Sequence, residues 1–377
     1  MVDLSILSPE INENLALFEI LNGKYIPLDH QLESGNQAFM WFVINDKFEP
    51  GSKKTFVLIK DTLEEQNLQI RVQKTQDELK LTDNKRNILN YRLSEKLPPE
   101  GIDTIYRRSA YIHPLWSPGG EILSRIQPPD HFHHYGIWNP YTLTHINDRE
   151  IDYWNLAKGL GTVRFAGLLS TIEGNLFGGF SVHKEHIDFG ASEFKRVNIN
   201  ETLEVRYWSC SKRENRYIID YSTRLSNAIK DTIIFDAYRY GGGIGFRATQ
   251  KWRRETCTVL TSEGKDRLEA DGSRARWCII EGISSVDEGR SGILFMSHPF
   301  NREHPEPMRV WPLKSNEGQM FFEFCPIRHK EWKILQGKVY SLKYRMIVFD
   351  GEISAEKAEM YWNSFARPPV VELHNRN

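Results

Sequence analysis

Apolar and polar residues alternate with a period of two along most of this chain. In Leu203-Glu204-Val205-Arg206-Tyr207-Trp208 the pattern predicts a half-buried strand. The run from Arg216 places Tyr217, Ile219, Tyr221, Thr223 and Leu225 on one side, and Tyr340, Leu342, Tyr344, Met346 and Val348 oppose Ser341, Lys343 and Arg345 in the same way. Shorter strands are predicted over Phe39 to Val43, Thr55 to Ile59, Leu68 to Val72, Thr232 to Asp236, Ala275 to Ile280, Gly292 to Met296 and Gln319 to Phe324. Turn residues punctuate them at Asp46-Lys47, Asn84-Lys85, Pro118-Gly119-Gly120, Asp271-Gly272 and Asp350-Gly351. One helix is predicted, capped by Ser354, with Ala358, Tyr361, Trp362 and Phe365 as its buried stripe and Arg367-Pro368-Pro369 as its stop. Many strands and one helix define an all-β chain, an antiparallel β-sandwich or a large two-sheet stack, with a small N-terminal β module. The linker-like Leu97-Pro98-Pro99-Glu100-Gly101 divides it into a module over 1–98 and a main domain over 103–366.

Composition narrows the function classes. The 377 residues are 40% hydrophobic and 26% charged, the profile of a soluble globular protein. The 49 basic and 50 acidic residues are spread without a cationic stripe, which argues against nucleic acid as a partner. No apolar run approaches the roughly 20 residues of a membrane helix, so no membrane partner is expected. The beginning of the chain has no signal-peptide pattern, and Cys210, Cys257, Cys278 and Cys325 form no close pair; both features fit a cytoplasmic protein. Ten tryptophans are the one compositional excess, and broad aromatic faces suit sugar rings as well as β cores. The oligomeric state is not legible.

The chemistry concentrates in Pro128-Pro129-Asp130-His131-Phe132-His133-His134-Tyr135-Gly136-Ile137-Trp138, where three of the twelve histidines fall within four residues. Histidine titrates near neutrality and is the commonest metal ligand. Pro128-Pro129 blocks helix, so the segment is expected to run as a loop into a short strand, with His131 and His133 on one face and Asp130 and His134 on the other. Three readings follow, beside the bland one in which the histidines only staple neighbouring loops. In the first, His131, His133 and His298 exchange protons with a sugar, sugar acid or keto-sugar, with Asp130, Glu303 or Asp271 as carboxylate partners. In this reading Arg107 or Arg309 pairs with an acidic substrate, while Trp138 and Trp154 serve as ring platforms. The second is a noncatalytic carbohydrate-binding or sensing protein. The third is a divalent metal on the His131/His133 pair, serving an oxygenase or lyase, although no glutamate follows that pair before Glu150. No Gly-x-Ser-x-Gly elbow occurs, and Gly241-Gly242-Gly243-Ile244-Gly245 lacks nucleotide-binding spacing.

Tyr111-Ile112-His113-Pro114-Leu115, Pro118-Gly119-Gly120 and the Asp130–Trp138 core resemble the bacterial PmoA-like family, as do Arg274-Ala275-Arg276-Trp277, Ser297 to Pro305 and Leu335-Gln336-Gly337-Lys338. The resemblance spans about residues 10 to 360. It implies a galactose-mutarotase-like supersandwich and a place in sugar metabolism. It rejects the methane chemistry of the family's name, since that belongs to a membrane protein. It points to Asp130, His131, His133, His134 and Trp138 as one set, and to His298, Asn301 and His304 as a second, with His113 upstream. Arg107-Arg108-Ser109-Ala110 and Phe132 depart from the pattern and leave substrate choice open.

Overall fold

The computed structural model describes residues 1–4, 15–33, 38–44, 51–60, 68–190, 196–209, 215–372 and 374. The turn expected at Asp46-Lys47 and Cys210 lie outside the described residues. Two large antiparallel sheets face each other. One has eight strands, in the order Gly161–Ile172, Phe177–Asp188, Arg196–Trp208, Arg216–Asn227, Val339–Asp350, Arg290–Ser297, Trp277–Ile283 and Cys257–Thr261. The other has nine, running Arg274–Ala275, Glu306–Val310, Phe321–Phe324, Gly245–Arg247, Ile137–Trp138, Ile112–Leu115, Arg86–Arg92, Glu78–Asp83 and Ile70–Lys74. The large antiparallel two-sheet stack expected from the alternation is what the chain forms. Its main core lies between the sheets, where Val205, Tyr221 and Met346 of one meet Leu89, Phe246 and Phe322 of the other. The single α-helix among the described residues, Ala355–Ala366, is capped by Ser354 and packs Ala358 and Trp362 onto the back of the eight-stranded sheet.

The 98/103 division does not follow the sheets. Strands at 70–92 lie on the N-terminal side of that line, yet they hydrogen-bond into the nine-stranded sheet, and Lys96 and Arg108 bridge across it. The Pro98-Pro99 stretch is a surface excursion between neighbouring strands, so its composition reads as a linker without being one. The smaller unit is residues 2–60: two three-stranded sheets around Leu4, Leu17 and Met40. It leans on the main sheets through Glu33, which pairs with Arg206 at 2.9 Å, and through Trp41, stacked near Phe177 and Trp208.

Between the sheets lies a polar network that the alternation pattern hid. Lys184, His186 and Glu201 sit at inward positions of their strands and are fully buried. Lys184 Nζ donates to Glu201 Oε1 at 2.7 Å and to Asn139 Oδ1 at 2.8 Å, while His186 Nε2 lies 2.8 Å from Glu201 Oε2. Thr223 donates to the same carboxylate, and Tyr221 donates to Asn139 at 2.5 Å. Burial pushes the Glu201 carboxyl up, but the Lys184 ammonium and the His186 ring outweigh it and hold the group at about 2. Removing one partner of a buried pair strands the other charge. Glu201→Ala should therefore lower the unfolding free energy by about 3–5 kcal/mol in urea titration. Arg164→Ala, which breaks the exposed Arg164–Glu185 pair, should cost no more than about 1 kcal/mol. Equal losses would mean the inner network carries no special weight.

Candidate functional site

The histidine segment is a pair of tight turns, not a strand. His131 N–H donates to Pro128 O at 2.9 Å and His134 N–H to His131 O at 3.0 Å; the strand begins only at Ile137. Two-residue alternation therefore does not apply. His131 and His134, three residues apart, stack at 4.7 Å, and His133 stands edge-on to both, at 5.4 and 4.8 Å. Gly136 leaves the turn with φ +61°, where a Cβ would fall 2.1 Å from Ile112 O; only glycine lets the chain pass this close to the neighbouring strand.

The turn rests on the outer face of the nine-stranded sheet. Along Phe321–Phe324, Phe322 and Phe324 point into the sandwich, whereas Phe321 joins Tyr111, Tyr135, Trp138, Trp154 and Trp311 in a separate aromatic cluster. His134 is sealed into that cluster, stacked on Trp154 at 5.5 Å and tilted against Phe321 at 5.1 Å. Trp138 and Trp154 are themselves buried, so they are walls for His134 and not the open platforms expected. Trp154 also donates through Nε1 to His133 O at 3.2 Å, tying the turn down. The rings left half-exposed around the turn are Tyr106, Phe132, His131, His133 and, beyond Trp311, Tyr240.

Arg247, fully buried on its strand, organises the charges. Its Nη2 lies 2.9 and 2.7 Å from the two oxygens of Asp130, and its guanidinium sits 4.7 Å from the Trp311 ring centre. Asp130 in turn meets His131 Nδ1 at 2.9 Å. Partial burial pushes the Asp130 carboxyl up, but His131 and Arg247 together hold it at about 2. The result is an Arg247–Asp130–His131 relay with His131 half-exposed and no hydrogen bond within the described chain to its Nε2. The aspartate fixes which nitrogen carries the proton and leaves the other to act. His133 differs: burial, then the charges of His131, Arg108 and Arg247, lower it to about 3, so it is neutral near neutrality. Burial, followed by His133, Arg247 and His131, also drives His134 well down.

Arg309 joins this face. It donates to Asp271 Oδ2 at 2.5 Å and to the Tyr240 hydroxyl at 3.0 Å, and Trp311 Nε1 donates to the same hydroxyl at 3.1 Å. Asp271 thus neutralises Arg309 and Arg328 and does not approach the histidines. Other expected members lie elsewhere. Arg107 is exposed and pairs with Glu95 at 3.1 Å; its neighbour Arg108 is the buried one. The ring of His113 bonds Ser124 Oγ at 2.8 Å, and burial lowers it to about 4. His298, Asn301 and His304 form a separate group under the helix, where none of the recorded contacts reaches the His131 turn. Asn301 Nδ2 donates to Glu306 Oε1 at 2.7 Å and to Lys343 O at 2.8 Å; His304 stacks on Trp362 at 6.0 Å, and His298 stands edge-on to Phe365 at 5.1 Å. Glu303 pairs with Arg274 at 2.9 Å. Among the described residues no group of three or more His, Cys, Asp or Glu side chains is arranged to hold a metal ion, and at the His131/His133 pair the nearby Asp130 is engaged by Arg247.

Residues 68–363 match the family described as "Family of unknown function (DUF6807)", and the chain belongs to that family. The match replaces the PmoA-like resemblance, and the residue sets implied by that resemblance stand only where the geometry gathers them. No curated protein matches in sequence. Among solved structures the chain is similar to a heparan sulfate lyase from Pedobacter heparinus, with TM-score 0.37, 7% identity, and 77% of this chain and 38% of that one covered. It is similar also to an α-galactosidase from Lactobacillus brevis, with TM-score 0.32, 8% identity, and 79% and 42% covered. An aldose epimerase homologue from C. elegans follows, with TM-score 0.25, 10% identity, and 73% and 93% covered. The chain spans under two-fifths of the lyase's length. No helix among the described residues is long and apolar enough to cross a membrane.

The second polar group yields a pH signature. Burial raises Glu306 from its ordinary 4.5 to about 7, against the opposing hydrogen bonds from Ser297, Asn301 and Tyr344. The folded state therefore binds this proton more tightly than the unfolded chain. That stabilisation is complete below about 4.5 and is lost as pH rises through about 7, on the order of 3 kcal/mol as an upper limit. Wild-type urea midpoints should fall between pH 5 and pH 8, and Glu306→Gln should flatten the fall. An unchanged slope in the variant would assign the pH response to other groups.

Proposed function

We propose that this protein is an enzyme acting on a sugar or sugar derivative, with His131 as the proton-transferring group and Asp130 as its positioning partner. The observation that carries the reading is the Arg247–Asp130–His131 relay, which ends on a half-exposed imidazole with one nitrogen unbonded among the described residues. A structural staple would use both ring nitrogens internally; a binding platform would need no buried guanidinium to fix the orientation of an aspartate. Hydrolysis, elimination and epimerisation of a sugar each require a proton to be moved at one position, and a fixed Asp–His pair supplies that step. Neutral His133 beside it can accept a hydrogen bond from a ligand hydroxyl at neutral pH. The half-exposed rings of Tyr106, Phe132 and Tyr240 border the place where a sugar ring would lie.

Turnover would be sought by proton NMR after incubation with a panel of glycosides, free sugars, aldonates, uronates and keto-sugars. His131→Ala should reduce the rate by about 10²–10⁴-fold with an unchanged melting temperature. Asp130→Asn should also slow turnover, and it should destabilise the fold by leaving Arg247 without its anion. Full activity in His131→Ala overturns the assignment. Ligand-induced thermal shifts without turnover of any panel member would replace the enzyme with a carbohydrate-binding protein.

A further inference from the structure

The ground beneath the histidine turn carries more positive charge than its carboxylates neutralise. Five guanidiniums, from Arg108, Arg125, Arg247, Arg309 and Arg328, have two aspartates in ion-pair contact, Asp130 with Arg247 and Asp271 with Arg309 and Arg328. A third carboxyl on this face, Glu323, is pushed well up by burial and accepts from the Gly241 N–H at 2.6 Å. Arg108 and Arg125 lie within 4.0 Å of no carboxylate among the described residues. The contact of Arg108 is the Tyr153 carbonyl at 3.4 Å. Arg125 Nη1 donates to Gln319 Oε1 at 3.1 Å, and Arg247 Nη2 donates to that same amide oxygen. Two like charges therefore converge on one neutral oxygen, and Asp130, bonded to Arg247, is the one carboxylate beside them among the described residues, so one of the two positive charges is left over.

Most of the unpartnered buried atoms on this face are donors, beside the Glu323 Oε2 oxygen and His134 Nδ1. Buried nitrogens without a hydrogen-bond partner include Arg247 Nε and Nη1, Arg108 Nε, Arg309 Nε and Trp138 Nε1. All of them can only donate. Of the two converging guanidiniums, Arg125 is the half-exposed one, and Asp130 and His131 are also open to solvent. Guanidinium pairs of this kind recognise carboxylates through planar, charge-assisted hydrogen bonds.

We propose that the substrate is an acidic sugar, a uronic or aldonic acid, whose carboxylate is received by Arg125 with Arg247 behind it. This rests on the carbohydrate reading above and adds the charge that the ligand must carry. The carboxylate then lies on the Gln319 side of the relay, and the sugar ring extends past His131 toward the half-exposed aromatic rim.

The test uses the intact protein with glucuronate, galacturonate and gluconate, set against the methyl esters of the two uronates and the neutral parent sugars, by thermal shift and isothermal titration. At least one acid should bind about tenfold or more tighter than its ester, and added sodium chloride should weaken it. Arg125→Gln, at a half-exposed position, should remove that preference while leaving the weak binding of ester or neutral sugar in place. Arg247→Gln should also remove the preference, but together with a lower melting temperature and weakened binding of ester and neutral sugar, because Asp130 loses its partner and the turn its anchor. Equal binding of acid and ester, or an Arg125→Gln variant with an intact preference, overturns the carboxylate receptor and leaves the carbohydrate reading standing. Binding of no acid, ester or neutral sugar overturns both.

Discussion

The contact between Arg247 and Asp130 is the constraint on which the site is built. A guanidinium buried on a central strand of a sheet is untenable without an anion, and no acidic residue of the adjoining strands meets this one. Asp130 comes from a loop, and reaching Arg247 requires that the loop fold down as tight turns across the sheet face. Everything else about the turn is a consequence. His134 is driven into the aromatic cluster, His131 is left at the edge with one nitrogen on the aspartate, and Trp154 closes over the His133 carbonyl. The interaction that keeps Arg247 tolerable in the sheet therefore also aims the imidazole outward.

The two faces of the nine-stranded sheet divide the work through one residue of alternation. Phe322 and Phe324 face the sandwich core, while Phe321 and Glu323 face the site; Met308 and Val310 are core, while Arg309 belongs to the site side. A one-residue slip along either strand would exchange these sets. The eight-stranded sheet is also apolar on its inner face, but it turns polar Lys184, His186 and Glu201 inward among those residues, against Asn139 of the facing sheet. Asn139 is the residue just after Trp138, so the strand that walls His134 also docks on the inner network. Gly243, at φ +62° with no room for a Cβ beside Phe324 O, brings its carbonyl to the Asn139 side chain and completes that junction.

The two-sheet architecture was readable because period-two patterning is imposed by burial on one face, and burial is what residue type reports. The helix was readable for the same reason, through Ala358 and Trp362. The domain division failed at 98–103 because proline and glycine mark a surface excursion as readily as a linker. The histidine cluster was visible as a local density of imidazoles, but its geometry was not. Tight turns place i and i+3 together, and nothing in Asp130 to His134 announces that a residue 117 positions away, Arg247, will hold the aspartate. Arg107 was chosen over Arg108 because sequence shows a charge without showing which of two neighbours points inward. Lys184, Glu201 and Arg125 gave no signal at all: each sits in an ordinary polar or mixed stretch, and only long-range pairing makes it unusual.

Three histidines within four residues invite one shared chemistry, yet the environment separates them. His134 has become an aromatic core residue, kept neutral by burial. His133 is half-exposed but lies in the field of Arg108 and Arg247 as well as His131, which together with burial holds it neutral at about 3. His131 alone has an anion at hydrogen-bond distance and a face open to solvent. The cationic surroundings that suppress protonation of His133 are the same ones that favour a negatively charged ligand. Such a ligand would weaken that suppression, so binding and the proton affinity of His133 are linked: each acid molecule bound should draw the imidazole upward toward the range where it can titrate. On the function proposed above, acid–base chemistry at this turn would be coupled to the charge of the substrate, and the surplus of arginines would serve the reaction as well as recognition.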